Sequence, residues 1–386
     1  MEALGAIVFL PADEQASPLF LQKILFDPAA LWLAHALKAE GVERFLVVCD
    51  DAHRDLAGDC FPADTLFVTT GSTDAPARLA EFLATVPGQV TVVTRPVLLA
   101  PQGTQFDLPP REVGKSVFTL KGSALAAALQ DGRSFDEALS ALGDTKPFQS
   151  RILPLKSDLA YRASTVEPLA RSLSLERLFA AGVRVMDPAS TFVGPAVTVG
   201  AGSVLLPGTI LRGKTVIGKD CEIGPNTMIR DCIIGDRVVV NASQLNESTV
   251  DDDTAVGPFA YVRPHCRIGK GVKVGDFVEL KNSTVGDGTK ISHLTYVGDT
   301  DAGAGINFGC GTVTVNYDGE KKFRTTIGDH AFIGCNTNLV APVSVGEGAY
   351  TAAGSTITED VPPDSLAIAR DRQVVKKNWA KRRRDR

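Results

Sequence analysis

The sequence predicts two architectures in succession: an α/β domain, then an all-β left-handed parallel β-helix of hexapeptide repeats. Three observations predict this. Short aliphatic runs alternate with helix-periodic stretches over roughly the first 150 residues. An aliphatic residue followed by glycine recurs thirteen times between Val193 and Gly346. Most spacings between those pairs are multiples of six, or one short of a multiple.

The α/β half comes first. Ala6–Leu10, Phe45–Asp50, Thr65–Thr70 and Val90–Arg95 are short, nearly continuous apolar runs, the texture of buried parallel strands. Between them, Pro28–Gly41 and Ala75–Val86 carry helical periodicity, the first opened by Pro and closed by Gly. Such alternation implies βαβ units. A further helical stretch, Val166–Val183, follows a polar connector. The expected boundaries are 1–150 for the α/β domain, 151–185 for the connector, 186–372 for the β-helix and 373–386 for a basic tail.

In the second half each aliphatic residue of the repeat is expected inside a triangular prism, with the following Gly easing the corner. A left-handed coil of this kind departs from the usual right-handed crossover. The register fails conspicuously at Gly311–Thr325, a mostly polar stretch expected to protrude as a loop. The repeat ends after Thr358, and Pro362-Pro363 breaks the chain ahead of the tail.

Bulk properties narrow the function. A net charge of −5 argues against a general nucleic-acid binder, and positive charge concentrates at the C-terminus. No apolar run reaches the roughly 18–20 residues of a membrane span. The apolar start lacks a basic region before it and reads as a strand, so a cytoplasmic protein is expected. The seven cysteines show no CxxC and no Cys/His cluster, so free thiols and no metal site are expected.

The segments His293–Phe323, Leu339–Thr358 and Leu366–Arg370, with Gly257–Pro264 and Phe277–Lys281 before them, carry HLTYVGDTDAGAGINFGCGTVTVNYDGEKKF, LVAPVSVGEGAYTAAGSTIT, LAIAR, GPFAYVRP and FVELK. They closely resemble the acetyltransferase half of the bifunctional N-acetylglucosamine-1-phosphate uridyltransferase/glucosamine-1-phosphate acetyltransferase family. The resemblance implies an acetyl-CoA-dependent N-acetyltransferase acting on glucosamine 1-phosphate, upstream of UDP-N-acetylglucosamine and cell-wall synthesis. It also implies a homotrimer with shared active sites.

Amine acetylation needs a base that titrates near neutrality, and histidine suits that task. By resemblance the base is His293, whereas His265 and His330 lack its context and are expected to be structural. Arg263 and Lys281 match the family's phosphate and sugar ligands, and an arginine fork suits a phosphate. Tyr296 and Asn307 match further substrate contacts, and Lys322 a lysine that reaches a neighbouring subunit's site. Asn316, Tyr317, Ala353 and Arg370 match acetyl-CoA positions. Cys310 and Cys335 stand where relatives have Ala and Ser. An acyl-cysteine at Cys310 is a less economical route than direct attack.

The N-terminal half departs from the family. Where a GxGTRM loop should cradle a triphosphate, the sequence reads LPADEQASPLF (Leu10–Phe20), with Asp13 and Glu14 in place of glycines. Arg95 stands where a metal-binding Asp is expected, so Mg²⁺ is not expected. The domain is also shorter than the family's. It therefore reads as a degenerate nucleotidyltransferase-like, Rossmann-like fold. The alternatives are a bifunctional enzyme that retains uridylyl transfer, or a non-catalytic trimeric scaffold that binds a nucleotide.

Overall fold

The computed structural model describes residues 4–10, 18–100, 116–130, 135, 137–138, 142, 146–147 and 151–384. The stretch containing Asp13 and Glu14 lies outside the described residues. Contacts divide the chain into two units. One is Met1–Ala180 with Phe192–Val197 and Leu211–Lys214; the other is Ala181–Thr191, Thr198–Ile210 and Thr215–Arg386.

In the first unit, Leu4–Phe9 pairs in parallel with Val42–Cys49 on one side and Gln89–Val93 on the other. Val42–Cys49 pairs in parallel with Leu66–Thr69. Alternate side chains of one strand face opposite ways. Accordingly Ala6 and Val8 pack with Leu33 and Leu37 of the Ala29–Ala39 helix, whereas Ile7 packs with Phe82 and Leu83 of the Ala75–Thr85 helix. The sheet is thus layered between helices, as the βαβ reading requires.

It is not wholly parallel, however. Val117–Lys121 runs antiparallel to Gln89–Val93, and Lys146–Pro147 antiparallel to Val117–Lys121. An apolar run specifies a strand and not its direction, and an antiparallel edge on a parallel sheet is common. The expected third helix forms as Glu167–Ala180, with Leu169 and Ala170 packed among Trp32, Leu98 and Leu153.

In the second unit, three parallel sheets form the faces of a left-handed β-helix. The first face runs from Arg184–Val185 to Leu366–Ala367, and the third from Thr198–Val199 to Val343–Val345; the second includes Met228–Arg230 through Thr356–Ile357. The aliphatic members of the repeat from Ile217 to Val345 are all buried.

Gly224 and Gly257 take positive φ, as expected for corner glycines, but the role differs at other repeat glycines. A Cβ on Gly235 would lie 2.7 Å from the Asp252 nitrogen, so glycine is needed for close approach of the next coil. There the left-handed backbone falls two residues later, at Asp220 (φ 55°) after Gly218 and at Arg237 (φ 57°) after Gly235. Interior hydroxyls then staple successive coils. Ser203 Oγ donates to the Gly218 carbonyl at 2.9 Å and accepts from the Cys221 N–H at 2.9 Å. Thr254 repeats the pattern with Gly269 and Val272.

The predicted loop is also narrower than Gly311–Thr325. Val313–Val315 continues the second face and Thr325–Ile327 the third, so only Asn316–Arg324 leaves the coil. Beyond the prism, Trp379–Arg384 forms a short exposed helix in the basic tail. Among the described residues, no helix is long and apolar enough to cross a membrane.

One titration in the first unit bears on its stability. Burial, then the positive charges of Arg177 and Lys38, push the His35 imidazole from its usual 6.5 down to about 4. The unfolded chain takes up this proton as pH falls through about 6.5, the folded chain only near 4. The contribution of neutral His35 is therefore fully present above the unfolded value and is lost progressively on acidification. Denaturant titrations of the wild type should show up to about 3 kcal/mol of stability lost over that window through this group. His35→Leu should flatten the slope; an unchanged slope would assign the loss to other groups.

Candidate active site

His293 ends the first-face strand Lys290–His293, which pairs in parallel with Lys273–Asp276 and brings Asp276 directly opposite His293. The His293 Nδ1 and Asp276 Oδ1 atoms are 2.5 Å apart. The hydrogen bond from His293 holds the Asp276 carboxyl below the usual carboxylate range. A carboxylate at Nδ1 fixes the tautomer with its lone pair on Nε2, a basic nitrogen on a side chain that is 56% exposed.

The same register extends the line. Ile291 pairs with Phe308 and Phe308 with Ile333, so Cys310 and Cys335 occupy the two rungs beyond His293. The Gly354 N–H donates to the Cys335 carbonyl, which sets Ala353 on the next rung. Asp276, His293, Cys310, Cys335 and Ala353 thus form one column along the corner between the first and second faces.

A second cluster lies at the far edge of the second face, around the buried Asp299. Its carboxylate accepts from Lys281 Nζ at 2.8 Å, from Asn282 Nδ2 at 2.6 Å and from Asn316 Nδ2. Burial works to raise the Asp299 pKa, but these donors outweigh it and the net shift is downward. Asn316 Nδ2 also donates to the Tyr296 hydroxyl at 3.4 Å. The Tyr296 ring folds over Gly298, where a Cβ would lie 2.6 Å from its Cζ. Arg263 stands one rung before Lys281 through its N–H to the Leu280 carbonyl, and its guanidinium meets Glu279 at 2.9 Å.

Lys281, Tyr296, Asn316 and Arg263 therefore converge, while His293, Cys310, Cys335 and Ala353 align separately. Asn307 lies on the first face beside Lys290. Tyr317 and Lys322 oppose each other across a bridge in the Asn316–Arg324 excursion, and both side chains are exposed. Exposed Arg370 runs past Gly354, where a Cβ would lie 3.6 Å from its Cδ. His265 and His330 occupy left-handed corners, φ 67° and 58°. Arg95 is exposed after the Gln89–Val93 strand.

Sequence reasoning missed Asp276, Asp299 and Arg324. Asp276 precedes His293 by 17 residues, one turn of the coil, a spacing that would have pointed to it. Arg324 grips Asp301 with two nitrogens, at 2.8 and 2.5 Å.

Residues 324–359 match the six-repeat bacterial transferase hexapeptide model, and residues 214–242 the hexapeptide repeat of succinyl-transferase. The fold and these matches define a class: a β-helix of the bacterial transferase hexapeptide type. Within it, the chain is 52% identical over 219 residues to the bifunctional protein GlmU of an Exiguobacterium strain, covering 57% of this chain and 49% of that protein. It is 56% identical over 211 residues to that of Acetivibrio thermocellus, covering 55% and 46%. The chain thus spans about half the length of the curated relatives it matches, and over the matched stretch the family resemblance read from the motifs is borne out. A solved perosamine N-acetyltransferase from Caulobacter crescentus, in complex with CoA and GDP-perosamine, is 28% identical over 30% of this chain and 53% of its own, with a TM-score of 0.27.

The Asp299 cluster yields a stability test. Removing a buried carboxylate strands the cation it holds, and the Lys281 side chain is only 16% exposed. Asp299→Ala should cost the β-helix about 3 kcal/mol in chemical denaturation. An unchanged midpoint would mean that Lys281 and Asn316 are held without the carboxylate.

Proposed function

We propose that this protein transfers the acetyl group of acetyl-CoA to the amine of glucosamine 1-phosphate. The observation that carries the reading is the Asp276–His293 pair, which presents a correctly tautomerised imidazole at the surface of a transferase-type coil. His293 Nε2 takes the proton from the attacking ammonium or amine, and Asp276 stabilises the imidazolium that forms. Arg263 and Lys281 supply cations for a sugar phosphate, and Tyr296 and Asn316 supply hydrogen-bonding groups beside them.

The residues fit acetyl-CoA, whose thioester supplies the acetyl group. Cys310, Cys335 and Ala353 are small and leave the corner backbone reachable, while Arg370 offers a cation to the nucleotide phosphates. The similarity to GlmU over half its length supports both substrates and a place before UDP-N-acetylglucosamine. The first unit is proposed as a degenerate nucleotidyltransferase-like domain without uridylyl transfer. Its exposed Arg95 is a poor neighbour for a divalent metal.

With acetyl-CoA and glucosamine 1-phosphate, His293→Ala should fold normally and lose about 10²–10⁴-fold in turnover. Asp276→Asn should lose less. Near-wild-type turnover in His293→Ala would remove this residue from the mechanism. Turnover with other amino-sugar phosphates but not this one would change the acceptor and keep the base.

Tyr317 and Lys322 are exposed on the excursion, and Phe259, Phe277 and Leu294 form an exposed apolar ridge beside His293. Both features support a trimer in which the excursion of one chain completes the site of another. Co-expression of His293→Ala with Lys322→Ala should then recover part of the activity, because some sites receive both wild-type groups. Mixed assemblies with no recovery would place each site within one chain.

A further inference from the structure

Seven thiols are free, and five of them are buried: Cys49, Cys60, Cys221, Cys232 and Cys266. Burial pushes Cys60 up to about 12 and Cys232 up to about 11, so these thiols are poor nucleophiles. Cys310 and Cys335 differ. Cys335 is exposed and Cys310 half-buried, and both sit on the same corner column, one rung apart.

The register makes them neighbours. Asn307 pairs with Phe332 and Phe308 with Ile333, so two residues further along Cys310 meets Cys335. The Gly309 N–H donates to the Ile333 carbonyl at 2.7 Å, and the Asn336 N–H to the Cys310 carbonyl at 2.8 Å. These bonds bracket the two cysteines and hold the coils at strand spacing, about 4.8 Å between rungs. That separation lies inside the Cα window of disulfides, about 4.4–6.8 Å. The packing there is close: a Cβ at Gly309 would lie 2.8 Å from the Cys335 Cα.

We propose that Cys310 and Cys335 form a paired-thiol modification site that exchanges with low-molecular-weight disulfides and closes to an intrachain disulfide. The more exposed Cys335 thiolate attacks one sulfur of the incoming disulfide. The bond between its two sulfurs breaks, one thiolate leaves, and Cys335 carries a mixed disulfide. Cys310 then gives up its proton to solvent and attacks Cys335 Sγ, expelling the second thiolate. Two protein thiols are oxidised by two electrons, and the small disulfide is reduced to two thiols. The site lies on the rungs next to His293, so closure would alter the same corner. The chemistry itself does not depend on the acetyltransferase reading.

The test uses the reduced, folded full chain with 5,5′-dithiobis(2-nitrobenzoate) as the disulfide. The wild type should rapidly release about two thionitrobenzoate anions per chain. Its intact mass should fall by two hydrogens with no retained adduct, and peptide mapping should link Cys310 to Cys335. Cys310→Ser and Cys335→Ser should each release about one anion and retain a stable adduct on the remaining cysteine. Circular dichroism of both variants confirms that the coil is intact. Stable adducts on both cysteines of the wild type would overturn the pairing, as would no fast release or a disulfide between chains. Loss of acetyl transfer in a serine variant would bear on substrate binding and leave this result unaffected.

Discussion

The constraint on which the structure depends is the in-register stacking of parallel coils. Backbone N–H groups bond carbonyls of adjacent coils in both directions, as in Val204 to Cys221 of the coil that follows and Asp220 to Ala201 of the coil before, so a position on one turn is fixed beneath its counterpart on the next. This stacking selects glycine where a Cβ would strike the neighbouring backbone, as at Gly235 and Asp252. It also explains the interior hydroxyls: Ser203 and Thr254 each bond a carbonyl and an N–H of the next coil, satisfying corner groups that would otherwise be buried without partners. Side chains in one column are then neighbours in space while lying about a coil apart in sequence.

The chemistry inherits this geometry. Asp276 and His293 meet because they share a rung at the end of a first-face strand, and no flexible segment has to position either. A side-chain pair on a rigid ladder loses little entropy on adopting one orientation, which is the advantage of building a site on strands. The cations Arg263 and Lys281 belong to the opposite edge of the second face, where they occupy successive rungs. The two groups of residues are separated by the width of that face.

The repeat was legible because burial imposes it on local sequence: Ile217, Ile223, Ile234 and the others must point inward, and their spacing records the coil. His293 was singled out only through resemblance, since a histidine near a corner looks like His265 or His330 until its partner is known. Asp276 and Asp299 were not found, because their partners lie 17 residues away on another turn and nothing local marks an aspartate as paired. The direction of Val117–Lys121 was hidden for a related reason: its apolar side chains specify burial and leave the choice of partner strand open. The width of the excursion was misjudged because Val313–Val315 lacks the aliphatic-glycine pair yet still fills a face position.

Asp299 connects the coil to the excursion that interrupts it. Its side chain holds Asn316 where the chain departs, and its carbonyl accepts the Thr325 N–H at 3.1 Å where the chain returns. Arg324, just before the return, is clamped to Asp301 two residues along the same coil. Both ends of the excursion are thereby fastened to one turn of the prism, while Tyr317 and Lys322 between them remain exposed. A loop so anchored has few ways to move relative to the Lys281 cluster, because displacing its base would leave the Asp299 carboxylate buried and underbonded. The buried carboxylate thus has a structural task that the substrate reading alone would not assign to it: it fixes the platform from which Lys322 projects. The site residues Lys281 and Asn316 are held by that same group.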